Sequence, residues 1–369
     1  MNDENNRKLN ALYMISTPLN LFLASGIALS KREEENAYLC FIDQISLEDN
    51  LYIEQTKQWK DSPFLEVHAF SGRGLPAIEK WNHRKKLISS LRSLAEHIRP
   101  VKIYTGNDRR YEFQYLIHHA RRINESVTGI YLDDGMCTYV RRNNHRLRNI
   151  LFDQWLKKIF YGIWWDQPAI VGASKYIDEC WLAFPEHVHP IIKKTIHHKA
   201  SASLFSHSAI RSLSQQLLLA SGMDITCLQN IDILLTLPHV TIMDRIPNYR
   251  PEMIKLVETI TRNGGKAAIK YHPRQIGEDE IGLLKFQNTQ LIPANASFEA
   301  LLPSMPANIA IVGDISTTLL SARWLRDDLR VISIGCNANK LQKIYIPFFK
   351  KIGVIVLDKM DDLPPLLNR

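Results

Sequence analysis

Val127-Thr-Gly-Ile-Tyr-Leu-Asp-Asp-Gly-Met-Cys-Thr-Tyr139 is an apolar, β-rich run that stops at two carboxylates and a glycine. Two other stretches repeat the design. Ala267-Ala-Ile-Lys-Tyr-His-Pro-Arg274 is a short apolar run ending in a histidine. Ile309-Ala-Ile-Val-Gly-Asp-Ile-Ser-Thr-Thr318 is another, ending in hydroxyls. Open α/β sheets carry their reactive side chains just beyond the carboxyl ends of the strands. The chain is therefore expected to be α/β, with the three polar endings at sheet edges.

The regions around these stretches agree. Ala11–Ser16, Ala37–Ile42, Phe64–Phe70, Lys102–Thr105 and Val127–Leu132 are predicted strands. They alternate with predicted helices over Leu19–Lys31, Leu51–Trp59, His83–Arg99 and Tyr111–Ile123. Strands alternating with helices imply parallel sheets covered on both faces. From about Pro185 to Asn230 the pattern loosens into His-, Ser- and Lys-rich sequence. It resumes with strands over Ile231–Leu237, Lys266–Lys270, Gln290–Ile292, Asn308–Val312 and Arg330–Ile334, and helices over Pro251–Asn263 and Thr317–Trp324. At 369 residues the chain exceeds what one core normally organises. Two domains are expected: residues 1–190 and 231–369, joined by a connection over 191–230, with the final helix free to return to the first domain.

Composition excludes several classes. Hydrophobic residues make up 45% and charged residues 23%, which suits a globular protein and not a disordered one. The five cysteines are far apart with no C-x-x-C spacing, so neither a zinc site nor a disulfide framework is indicated. Ser16, Thr17, Pro18 and Asn20 interrupt the apolar stretch 11–29, which reads as strand, turn and helix and not as a signal peptide. No run of about 18 apolar residues is present to span a bilayer, and a cytoplasmic protein is expected. The net charge of +8 is concentrated between Arg109 and Lys158. Within it, 141–165 mixes Arg141, Arg142, Arg146, Arg148, Lys157 and Lys158 with Trp155, Phe160, Trp164 and Trp165. Such a basic amphipathic segment suits peripheral contact with an anionic membrane surface, or an ordinary helix packing its aromatic face inward.

Each motif has a chemistry. In Asp133-Asp134-Gly135 the glycine permits a tight turn, so a carboxylate at the strand end can take a proton from an attacking hydroxyl. Pro273 biases His272 towards extended geometry, where its imidazole can stabilise a departing phosphate, with Lys270 and Arg274 adding positive charge. Ser316-Thr317-Thr318 looks like a helix start, suited equally to capping and to phosphate binding. This inventory fits glycosyl transfer from a nucleotide-activated sugar.

In order and placement the motifs resemble those of bacterial sialyltransferases and polysialyltransferases: acidic-acidic-Gly, His-Pro and a Ser/Thr pair. The match extends to Thr138-Tyr139 after the first motif and Arg274-Gln275 after the second. Ser297-Phe298-Glu299 resembles the segment whose glutamate contacts the cytidine ribose in relatives, and Ile15-Ser-Thr-Pro-Leu-Asn20 a first-strand loop lining the acceptor side. Tyr271 departs from the pattern, since many relatives have proline there.

The resemblance implies a GT-B fold, two Rossmann-like domains facing each other across a cleft, with CMP-sialic acid as donor and inversion at the anomeric carbon. Of the two carboxylates Asp134 is favoured as base with Asp133 orienting it, an order the sequence alone does not fix. Asp244 is the weaker candidate, since one branch of the family places its base in the C-terminal domain. Donor contacts would come from His272, Lys270, Pro273, Arg274, Glu299, Ser316, Thr317 and Thr318, and acceptor contacts from Ser16, Thr17, Asn20 and Gly135. No metal or other cofactor is expected, and the acceptor is a bacterial surface glycan, lipid-linked in many relatives. The same cytidine and phosphate contacts would serve another CMP-activated nonulosonic acid or Kdo. A nucleic-acid-binding module is the non-enzymatic alternative. It lacks a recognisable motif here and leaves the Asp-Asp-Gly and Ser-Phe-Glu segments without a role.

Overall fold

The alternation resolves into two parallel sheets. The computed structural model describes residues 8–72, 77–140, 158, 162–192, 195–275 and 279–363. Its contacts divide the chain into a first unit ending at Ala209 and a second beginning at Ile210.

The first unit contains β1 (Leu9–Ile15), α1 (Pro18–Ser30), β2 (Glu35–Gln44), α2 (Leu51–Gln58), β3 (Phe64–Ser71), α3 (Ala77–Ile98), β4 (Lys102–Thr105), α4 (Tyr111–Ile123), β5 (Thr128–Leu132), β6 (Glu179–Leu182) and β7 (Ile196–Lys199). All seven strands are parallel, in the order β3-β2-β1-β4-β5-β6-β7. The chain winds outward from β1 to β3, then crosses to β4 and winds the other way. The β1/β4 junction is thus the topological switch point, where open α/β sheets leave a crevice beyond the strand ends. α1 is buried from Leu19 to Leu29, as expected of a helix apolar on all sides. Thr17 caps it and Pro18 supplies a pre-set first turn. On the opposite face Leu91 and Leu94 of α3 and Phe113, Leu116 and Ile117 of α4 pack on Leu12, Met14 and Ile103.

In the second unit α5 (Ser208–Ala220), which begins just before the division, precedes β8 (Ile233–Thr236), α6 (Val240–Met243), α7 (Tyr249–Arg262), β9 (Ala267–Lys270), β10 (Thr289–Leu291), α8 (Phe298–Leu301), β11 (Ala310–Gly313), α9 (Thr317–Leu325), β12 (Arg330–Ser333), α10 (Lys340–Lys343), α11 (Ile346–Lys351) and β13 (Ile355–Val356). The parallel order is β10-β9-β8-β11-β12-β13. Its switch point is the β8/β11 junction. β8, β9 and β11 are buried along their whole length, which explains their unbroken apolar sequence. Met253, Val257 and Ile260 of α7 close one face against Ile233, Ile269 and Val312.

Residues 191–230 hold more than a connection. They supply the edge strand β7 and the helix α5, either side of the division between the units. Residues 364–369, which include the chain end expected to return to the first domain, lie outside the described residues. Most of the basic, aromatic segment 141–165 lies outside them as well. Among the described residues, no helix is long and apolar enough to cross a membrane.

Candidate active site

Strand register assembles the predicted residues at two sheet edges. In the first unit Met14 of β1 pairs with Thr105 of β4, which pairs with Tyr131 of β5. The segments that follow these strands bring Asn20, Gly106 and Asp133-Asp134 together at the switch point. Asn20 donates from Nδ2 to Asp134 Oδ1 at 3.3 Å. Gly106 is required for this approach, because a Cβ there would lie 2.2 Å from Asn20 Oδ1. Asn20 is fully buried, and its Oδ1 finds no partner among the described residues.

The two aspartates have different environments. Asp133 is fully buried and accepts four hydrogen bonds. Gly135 N–H and the Thr138 hydroxyl, each at 3.0 Å, bond Oδ1, while Ala183 N–H, also at 3.0 Å, and the Tyr139 hydroxyl bond Oδ2. Gly135 has φ +100° and ψ −142°, a backbone conformation that favours glycine, and from it returns its N–H to Asp133. A relay leads back to the second aspartate: Asp134 N–H donates to the Tyr131 oxygen at 3.1 Å, and Tyr131 bonds Thr138 at 2.8 Å. Thr138 and Tyr139, quoted as part of the motif, are therefore the groups that lock Asp133. Burial still raises the Asp133 pKa, with these hydrogen bonds opposing it.

Asp134 is half-buried, and among the described residues its side chain bonds only Asn20. Burial pushes its carboxyl up to about 7; the Asn20 hydrogen bond opposes this, and the charges of Asp133 and Asp108 add to it. Asp108, which the motifs did not single out, is fully buried after β4. It ties the 172–174 loop by accepting from Gly172 N–H at 2.9 Å and Ser174 N–H at 2.7 Å. Of the other predicted acceptor-side residues, Ser16 is half-buried just beyond β1, and the Thr17 hydroxyl accepts from Asn20 N–H at 3.2 Å. A carboxyl poised near neutrality, with only one of its oxygens hydrogen-bonded among the described residues, is equipped to take a proton.

In the second unit Lys270, Thr236 and Gly313 are level across β9, β8 and β11. His272, His239 and Ser316 follow within three residues of each strand end. His272 Nδ1 accepts from Arg274 N–H at 3.1 Å, so the neutral ring carries its proton on Nε2. Its pKa is lowered, chiefly by burial and then by His239, Arg274 and Lys270. Burial thus favours the neutral ring, which donates from Nε2. Lys270 is buried, donates to Pro293 O at 3.3 Å, and is pushed down to about 8 by burial against the opposing attraction of Glu299. Burial raises Glu299, with Lys270 and a 3.5 Å contact from Ser321 opposing.

Ser316 is the extended N-cap of α9, with no capping bond from its side chain. Thr317 is exposed and Thr318 half-buried in the first turn, while Pro273 and Arg274 are exposed. Tyr271, the departure from the motif, is a packing anchor. It is buried, its hydroxyl donates to Asp279 at 2.7 Å, and Ile281 N–H donates to it at 3.1 Å. Asp244 is an exposed C-cap residue paired with Arg250 at 3.2 Å.

Part of the predicted basic surface is consumed internally. Arg109 donates to the Pro168 and Ala169 carbonyls, Arg110 pairs with Asp43, and Arg121 pairs with Asp178 at 2.5 Å. Among the described residues no group of three or more His, Cys, Asp or Glu side chains is placed to hold one metal ion.

Comparison with known proteins assigns the chain. The model of the alpha-2,8-polysialyltransferase family matches residues 11–334. Among solved structures, the alpha/beta-galactoside alpha-2,3-sialyltransferase of Photobacterium phosphoreum is similar at 14% identity and TM-score 0.57, over 97% of this chain and 100% of that one. The GT-B domain of a Photobacterium damselae sialyltransferase is similar at 13% identity and TM-score 0.53, over 94% and 100%. Medicago truncatula UGT71G1, complexed with UDP-glucose, is similar at 9% identity and TM-score 0.51, over 97% and 86%. No curated protein sequence matches. At these identities the structural likeness establishes the GT-B fold alone. The family match goes further: the chain belongs to the alpha-2,8-polysialyltransferase family and is a glycosyltransferase.

Proposed function

We propose that this member of the alpha-2,8-polysialyltransferase family is an inverting, cytoplasmic enzyme that moves sialic acid from CMP-sialic acid to a hydroxyl of a bacterial surface glycan. The observation that carries the reading is the unequal pair at the end of β5. Asp133 is saturated by four donors, whereas Asp134 keeps acceptor capacity and a carboxyl pushed up to about 7. Asp134 takes the proton of the acceptor hydroxyl as its oxygen bonds to the anomeric carbon. The bond from that carbon to the phosphate oxygen breaks, and CMP leaves with the electron pair. His272 meets the charge growing on the phosphate with its Nε2–H, and Lys270, Arg274 and the Ser316, Thr317 and Thr318 hydroxyls supply further positive charge and donors. Pro273 sets the backbone of His272, and Glu299 is the residue for the cytidine ribose. Ser16, Thr17, Asn20 and Gly135 form the acceptor side.

This donor set serves a monophosphate leaving group without a metal, because imidazole, ammonium and hydroxyl donors supply the charge stabilisation. Activity is expected to persist in excess EDTA. Strict dependence on restored Mg²⁺ or Mn²⁺ would replace this mechanism with a metal-assisted one. The broader test is incubation with CMP-sialic acid, and separately CMP-Kdo, against a panel of galactosides and sialosides. Mass and linkage analysis should find sialic acid added with inverted configuration. Turnover only with a different activated sugar would overturn the donor assignment.

A further inference from the structure

The first half-turn after β8 carries a residue that no motif singles out. His239 sits between the His272 edge of β9 and the Ser316 edge of β11, because β8 pairs with both strands. Neighbouring parallel strands are about 4.8 Å apart, so all three strand ends share one narrow zone. The two rings meet edge to face, with centroids 5.6 Å apart and planes at 85°.

Both imidazoles are held by the same local device. His239 Nδ1 accepts from Thr241 N–H at 3.3 Å and contacts Thr241 Oγ1 at 3.0 Å, and His272 Nδ1 accepts from Arg274 N–H at 3.1 Å. Each backbone bond ties up the Nδ1 lone pair, leaving the proton of the neutral ring on Nε2. Neither Nε2 has a hydrogen-bond partner among the described residues, and both side chains are only half-buried. The pair therefore offers two N–H donors from adjacent rings. Metal ligation through Nε2 would require moving each ring proton to Nδ1, which would break both backbone bonds. Among the described residues no carboxylate is hydrogen-bonded to either ring: Asp314 Oδ2 accepts from Tyr249 at 2.7 Å, and Glu299 faces the charge of Lys270. An anion supplied by a ligand fits these donors.

We infer that His239 is a second phosphate-binding imidazole, its Nε2–H engaging the phosphate of the CMP donor alongside that of His272. The inference rests on the CMP-donor reading above and adds a contact to it. Two Nε2–H donors can hold a phosphate while both Nδ1 atoms keep their backbone bonds.

The test is calorimetry of the full chain with CMP and with cytidine. His239→Asn retains a short side-chain oxygen able to cap Thr241 N–H but removes the Nε2–H, whereas His239→Gln places an N–H close to the position of Nε2. His239→Asn should weaken CMP roughly ten- to a hundredfold, the worth of one hydrogen bond to a charged group, with cytidine unchanged. His239→Gln should stay within a few-fold of the wild type for CMP. Equal CMP affinity in His239→Asn, or parallel loss of CMP and cytidine, overturns the inference. Should the variants fold poorly, ¹⁵N spectra of the wild-type chain decide: two imidazole Nε2 resonances should move with CMP and not with cytidine, and movement of only one overturns it. A wild-type chain that binds no CMP would instead break the donor reading itself.

Discussion

The two sheet edges share a topology and oppose each other in chemistry. Both place their polar residues beyond the strand ends at a switch point, β1/β4 in one unit and β8/β11 in the other. At the first edge burial raises carboxylates, so Asp108, Asp133 and Asp134 all resist ionisation. At the second it lowers cations, so Lys270 and His272 both resist protonation. The same desolvation thus suits one edge to the proposed gain of a proton from a hydroxyl and the other to the proposed meeting with an anion. Fold topology sets the place, and the side chains set the sign. Experiments that change one edge at a time show whether that division holds.

The largest effect is expected from Asp134→Asn. Loss of the proposed base should lower turnover roughly 10²–10⁴-fold while CMP binding persists, because Asp134 and the proposed nucleotide-binding residues belong to different units. The variant should also be more stable at pH 8. A carboxyl raised above its unfolded value binds protons more tightly in the fold, so its stability contribution is present at low pH and is lost as pH rises through about 7. Removing the charge removes that loss, and a stabilisation of 1 kcal/mol would raise Tm by roughly 2–4 °C. Loss of CMP binding together with turnover would break the division between the edges.

His272→Ala comes next. Removing one preorganised donor to the leaving phosphate should slow turnover roughly 10²–10³-fold with the fold intact. Near-normal turnover in a purified, folded variant would remove the assigned role.

Asp133→Ala tests stability rather than chemistry. It strips an acceptor from Gly135, Thr138, Tyr139 and Ala183 at once, leaving buried donors unsatisfied at a cost of about 1–3 kcal/mol each before relaxation. Denaturant titration should show clear destabilisation, opposite in sign to Asp134→Asn at pH 8. A neutral effect would mean that the two carboxylates are less different than their surroundings.

That difference also marks what the sequence could reveal. Strands such as Ala267–Lys270 were legible because burial on both faces demands an unbroken apolar run. β7 was not: Ile196-His-His-Lys199 is a half-exposed edge strand with no such constraint. α5 was masked by the Ser- and His-rich sequence around it. The motif residues themselves could be named, but Asp133 and Asp134 could not be ranked by role from local sequence. The ranking comes from Asn20 and Ala183, 114 and 50 residues away from their respective aspartates. His239 had no motif to announce it and emerges only from the register of β8 between β9 and β11.

The smallest expected effect is the most specific. Asn20 donates to Asp134 and so favours the ionised carboxylate against burial and the neighbouring charges. Asn20→Ala removes that donor, so the Asp134 pKa should rise further and the acid limb of kcat/KM should move to higher pH. A full unit of movement would lower the rate at pH 7 about fivefold, as the ionised fraction falls from about one half to one tenth. At high pH, where the proposed base is ionised in both proteins, the deficit should shrink to the part that comes from Asn20 as an acceptor-side residue. A deficit independent of pH would mean that Asn20 acts through acceptor contact alone. No change at any pH would show that the 3.3 Å bond does not tune the base, leaving burial and the buried aspartates to set its proton affinity.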